Sequence, residues 1–157
     1  MKKNIGFVAT RFEGTDGVSL EASKWAAIFE QAGHQCYWFA GLLDHDPQKS
    51  LCVPEAFFQH ERNIAIEKEI FGCKRRSREA TRAIHKLRSF IKDGLYAFVE
   101  RFKIDMLVAE NLLTLPMHLP LGLAMTEFIA ETQIPTVAHH HDFYWERTRY
   151  AVNAVGD

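Results

Sequence analysis

The chain has 157 residues, of which 47% are hydrophobic, 12% aromatic and 25% charged. That is a prior for one domain with a sizeable core, and it excludes a disordered chain. Nineteen Lys and Arg against twenty Asp and Glu leave a net charge of -1, so no global field directs the protein to nucleic acid or to an anionic membrane.

Residues 4–10 (NIGFVAT) form a short apolar run closed by polar residues, the pattern of a buried strand. Lys2 and Lys3 precede it, but the run breaks at Thr10-Arg11, too early for a signal peptide. Residues 11–19 (RFEGTDGVS) carry loop chemistry, two glycines and an aspartate. From Ser19 the pattern turns helical, with Ala22, Trp25, Ala26 and Phe29 on one face and Gly33 as the stop. Residues 35–41 (QCYWFAG) are a second strand, so the first 41 residues predict a βαβ unit.

Residues 42–54 read as a loop, and 55–71 as one or two short helices ending at Gly72. A long helix is expected over roughly 76–102, because Ala80, Ile84, Leu87, Ile91, Leu95, Phe98 and Phe102 recur at steps of three and four. Residues 104–110 (IDMLVAE) have the near-continuous apolar character of a parallel strand. Pro116 and Pro120 punctuate a loop and open a helix whose buried face is Leu121, Ala124, Met125, Phe128 and Ile129. Residues 134–141 are a fourth strand, and 142–150 are expected to begin another helix. Strands alternating with helices predict an α/β, doubly wound parallel sheet in a single Rossmann-like domain over 1–157. No apolar stretch approaches the roughly eighteen residues of a membrane span. Cys36, Cys52 and Cys73 have neither disulfide nor zinc spacing and read as reduced thiols of a cytoplasmic protein.

An open parallel sheet binds ligands beyond the carboxyl ends of its strands, which selects residues 11–19, 109–114 and 139–146. In the first segment Gly14 and Gly17 could bring backbone N–H groups to an anion, although neither a G-x-G-x-x-G pattern nor a Walker lysine is present. The bland reading of those glycines is a turn that needs positive φ. In the second, Glu110 and Asn111 end a strand and could bond hydroxyls, or Asn111 could cap a turn. In the third, His139-His140-His141-Asp142 invites a metal, but on a strand His139 and His141 face one way and His140 the other. With no further ligand at suitable spacing, no metal is expected; recognition of a hydroxylated ligand by His140 and Asp142 is favoured. The basic run Lys74-Arg75-Arg76-Ser77-Arg78, with Arg82, Lys86 and Arg88, has no interleaved Phe or Tyr for base stacking. It reads as a solvated helix face, and an anionic lipid surface or an anionic substrate is its minority reading; nucleic acid is not expected. No serine sits in a G-x-S-x-G setting.

Residues 5–41 (IGFVATRFEGTDGVSLEASKWAAIFEQAGHQCYWFAG) and 107–147 (LVAENLLTLPMHLPLGLAMTEFIAETQIPTVAHHHDFYWER) resemble the N-terminal domain of GT-B glycosyltransferases. The similarity is to the retaining group that includes sucrose and glycogen synthases. Gly33-His34 matches that group's second-strand motif, with Cys36-Tyr37 a mild departure, and HHHDFYWER is the most specific element. The resemblance implies a cleft between two Rossmann-like domains. The N-terminal one binds a hydroxylated acceptor, and the other grips a nucleotide-sugar donor through a Glu-x7-Glu element. Glu13/Glu21 and Glu61/Glu69 have that spacing but lie in the wrong half. On this reading Gly14 and Gly17 lie at the donor-phosphate edge, Glu110, Asn111, His140 and Asp142 meet acceptor hydroxyls, and no cofactor is required. The donor-binding domain is absent from these residues, so the chain alone is expected to be inactive and its cleft face to self-associate. The competing expectation is a non-enzymatic α/β binding module; a His-cluster metal enzyme is a third.

Overall fold

The computed structural model describes residues 1–156. Five parallel strands form the main sheet: β1 (Asn4–Val8), β3 (Gln35–Ala40), β5 (Ser50–Cys52), β6 (Met106–Glu110) and β7 (Thr136–His139), in the order β5-β3-β1-β6-β7. Two-residue strands β2 (Arg11–Phe12) and β4 (Leu42–Leu43) pair in parallel beside it. The helices are α1 (Gly17–Gln31), α2 (Glu61–Ile70), α3 (Arg78–Phe102) and α4 (Leu119–Thr132). The fold is Rossmann-like α/β. Among the described residues no helix is long and apolar enough to cross a membrane.

Strand alternation divides the core in two. Ile5, Phe7 and Ala9 pack with Trp38, Val108 and the Ala22/Ala26 face of α1, whereas Val8, Phe39, Leu107 and Ala109 pack with α3 and α4. All seven residues of the α3 stripe are buried. The helix starts at Ser77, whose Oγ accepts from the Ala80 N–H at 3.0 Å, and stops at Lys103 in the left-handed region. Its polar side is not simply solvated. Arg88 and Lys92 reach Glu127 at 2.7 and 2.9 Å, and Lys92 reaches Glu131 at 2.6 Å, so α4 carboxylates neutralise one end of the basic run. Lys74, Arg75, Arg78, Arg82 and Lys86 remain exposed.

Two expectations are corrected. Residues 42–54 are not merely loop: β5 adds a fifth strand on the β3 edge, its three residues too short to show a pattern. Residues 142–150 form two single 3-10 turns rather than an α-helix. Phe143, Tyr144 and Trp145 are consecutive and so cannot share one helix face. Instead Phe143 stacks on Trp145 at 4.6 Å, and Tyr150 buries against Phe71. The chain then returns to α2, where the Ala154 N–H donates to the Ile70 carbonyl at 2.7 Å.

Strand β1 is the pivot of the topology. The chain builds β3 and β5 on one side of it, then crosses by α2 and α3 to lay β6 and β7 on the other. The crevice of such a sheet opens at the carboxyl ends of β1 and β6.

Candidate functional site

The loops leaving β1, β6 and β7 all emerge on this carboxyl edge, because all three strands are parallel. Gly14 has a φ of 77° and its N–H donates to Asp44 Oδ2 at 3.0 Å. Gly17 is the first residue of α1. The N-terminus of that helix is capped by its own carboxylate: Asp16 accepts from the Val18 and Ser19 N–H groups and pairs with Arg11 at 3.3 Å. Burial pushes the Asp16 carboxyl up, but the Ser19 hydroxyl and N–H, with Arg11 beside them, outweigh it and hold the group below its ordinary value. A methyl group at Gly14 or Gly17 would meet nothing within 4 Å, so this rim is open.

Register places Glu110 opposite His139 across the β6–β7 pair. Glu110 is buried, 1% exposed. Its Oε2 lies 2.9 Å from His139 Nδ1 and 3.3 Å from His141 Nε2. The first distance is short, yet the ring N–H direction of His139 misses hydrogen-bond geometry, and Glu110 Oε1 also has no hydrogen-bond partner among the described residues. Trp25 of α1 stacks on the His139 ring at 4.6 Å and 22°. Glu21, a turn earlier on α1, is held below the ordinary carboxylate range chiefly by its bond to Lys24, with His139 and His141 contributing.

Asn111 follows with φ at 55°, and its Oδ1 accepts from the N–H groups of His141 and Asp142, both at 3.2 Å. It is 7% exposed and acts as the capping residue of this corner. Asn111→Ala is expected to cost about 2 kcal/mol, from strain in the left-handed region and two unpaired N–H groups. A urea midpoint unchanged from wild type would exclude that role.

Beyond the corner, Thr114 Oγ1 donates to the Asp142 carbonyl at 2.9 Å and stands 3.1 Å from His140 Nδ1. A hydroxyl has one proton to give. With that proton on the carbonyl, His140 must carry its own on Nδ1 and donate it to Thr114. In the neutral ring Nε2 is then the acceptor. The Asp142 carboxylate pairs with Arg147 at 2.9 Å and stays partly exposed.

Next to these groups runs a groove of 520 Å³ whose walls include Leu112, Thr114, Leu119, Trp145 and Tyr150. That volume suits a small organic ligand. His118 lines its floor and caps α4: Nδ1 accepts from the Leu121 N–H at 3.1 Å, and Nε2 meets the Glu55 carbonyl at 2.8 Å. Burial drives the His118 pKa down to about 4.

The structure therefore brings Glu110, Asn111, His140 and Asp142 into one corner. Gly14 and Gly17 lie on the β1 rim of the same sheet edge. Sequence reasoning passed over Thr114, His118 and the pairing of Glu110 with His139 and His141. Only the last had a local signal, the shared face of His139 and His141.

Two relatives match most of the chain. Mannosylglucosylglycerate synthase of Petrotoga mobilis is 28% identical over 147 residues, covering 93% of this chain and 33% of its own length. The Thermotoga maritima protein of the same name is 29% identical over 146 residues, covering 84% of this chain and 30% of its own length. The chain thus spans about a third of the length of these relatives. No protein-family profile matches it, and no solved structure does.

Proposed function

We propose that residues 1–157 form the acceptor-side, Rossmann-like domain of a retaining GT-B glycosyltransferase, which moves a sugar from a nucleotide-sugar to a hydroxylated acceptor. The observation that carries this is the similarity over 93% of the chain to a glycoside-forming synthase. It is supported by a carboxyl-edge corner in which His140 offers a free acceptor nitrogen beside Asp142. A product named mannosylglucosylglycerate is reached by placing a mannosyl unit on glucosylglycerate, so a nucleotide-mannose and glucosylglycerate are the first pair to test.

In this reading the four polar residues divide their work. His140 Nε2 and Asp142 accept hydrogen bonds from hydroxyls of the acceptor and orient it. Glu110 and Asn111, buried behind them, hold the corner in shape. The absence of a side chain at Gly14 and at Gly17 leaves room for the donor diphosphate along this rim. A second domain supplies the base and ribose contacts, since positioning two substrates and excluding water takes surfaces on both sides of a cleft.

Two expected outcomes test this. The 157-residue chain should bind nucleotide-sugars in the millimolar range or weaker and show no turnover, by calorimetric titration and mass spectrometry of products. Micromolar binding or measurable transfer would refute the division of labour. In the longer enzyme, Asp142→Ala should lower transfer at least about tenfold. Its melting temperature should hardly move, because the Arg147 pair it breaks is exposed and contributes less than about 1 kcal/mol. Full activity in that variant would remove Asp142 from the site.

A further inference from the structure

The geometry points to a divalent transition-metal site of the zinc class formed by Glu110, His139 and His141. The three residues offer one carboxylate oxygen and two imidazole nitrogens, all within 4.8 Å of one another. Two ligands held about 2.1 Å from one ion and separated by 2.9 or 3.3 Å, as here, subtend about 90° to 105° at it, between octahedral and tetrahedral values. Tetrahedral ligands of one such ion stand about 3.4 Å apart, so a pair at the 4.8 Å limit closes by about 1.4 Å through side-chain rotation.

Two further observations separate this arrangement from a plain hydrogen-bonded triad. His139 Nδ1 approaches Glu110 Oε2 without pointing an N–H at it, and the second carboxylate oxygen is buried without a partner. Only His141 Nε2 meets the carboxylate in hydrogen-bond geometry, at 3.3 Å; a buried carboxylate left with one such bond, an unpartnered oxygen and a misdirected nitrogen beside it is costly as it stands. A cation accepting lone pairs from both rings and one or both oxygens would satisfy all of them. The Trp25 ring stacked on His139 fixes that imidazole's plane, the supporting role that neighbours commonly play around metal ligands. Two histidines and one carboxylate leave coordination positions open, so the ion would hold a water, hydroxyl or phosphate oxygen at the carboxyl edge of the sheet. The inference does not depend on the glycosyltransferase reading.

The test uses tag-free chain dialysed against EDTA and titrated with Zn²⁺ against a chromophoric chelator. Co²⁺ serves as the spectroscopic probe. One equivalent is expected, with Co²⁺ visible bands of low-symmetry nitrogen and oxygen ligation. Glu110→Gln and the double variant His139→Ala/His141→Ala should each weaken binding by about a hundredfold or more, whereas His140→Ala should leave it within about twofold. The last comparison separates this site from adventitious binding by three consecutive histidines. If Glu110→Gln fails to fold by circular dichroism, the double histidine variant carries the test, its side chains being 22% and 21% exposed. Sub-stoichiometric binding, binding that survives the double variant, or loss of binding in His140→Ala would each overturn the proposal.

Discussion

Gly41→Ala is expected to lower stability by about 3 kcal/mol or more, or to prevent folding. Gly41 leaves the end of β3 and donates its N–H to the Thr10 carbonyl at 3.0 Å, tying β3's exit to that of β1. A methyl group there would collide with Phe57 N and Cα and lie 2.5 Å from the carbonyl carbon of Ala56. These are backbone atoms, so no side-chain rotation relieves the clash. Either β3 or the turn at Pro54–Ala56 must move. That turn bears the Glu55 carbonyl to which His118 is bonded, so the disturbance reaches the floor of the groove. Gly17→Ala is the control, since its methyl group meets nothing within 4 Å. Urea midpoints of the two variants should differ widely; equal midpoints would mean that the 54–57 segment yields freely.

Acidification should remove about 3 kcal/mol of stability through His118. Its folded-state pKa is about 4 against an ordinary 6.5, a gap that corresponds to roughly 3 kcal/mol. The cause is first desolvation: the folded protein keeps the ring neutral, because Nδ1 must accept from Leu121 and the surroundings cannot solvate a cation. The unfolded chain takes up the proton as pH falls through 6.5, and the folded chain does not until about 4. The contribution is therefore complete above pH 6.5, declines between 6.5 and 4, and levels off below. His118→Asn retains a side-chain acceptor for the helix cap and removes the titration. Its stability should change less than wild type between pH 7 and 4.5, measured by urea unfolding at both. Parallel pH profiles would show that His118 is not held neutral in the folded protein. The Asp16 carboxylate, held below its ordinary value, loses its contribution at lower pH, as it protonates.

The strands β1, β3, β6 and β7 and the helices α1, α3 and α4 were legible within a residue or a few of their ends, because apolar runs and stripes are local properties. The α3 stripe shows why: seven residues at steps of three and four specify a helix and its buried face with no knowledge of what covers it. Strand β5 was not legible. Three residues carry no period, and they are extended because Leu51 pairs with Phe39 of β3. The 142–150 segment was misread for a related reason: its aromatic residues signal burial, but Tyr150 finds its partner in Phe71, far away in the chain.

The candidate corner divides along the same line. That His139 and His141 share a side of the chain follows from the pleat of a strand, which depends on neighbouring peptides alone. That the buried Glu110 faces both of them is decided by the register of β6 against β7, a pairing between segments separated by all of α4. The side-chain inventory at 110–111 and 139–142 is thus a matter of sequence. Which of those groups point at one another, which are shielded from water and which remain free to meet a ligand depend on long-range packing, because distances and desolvation exist only once the sheet has closed.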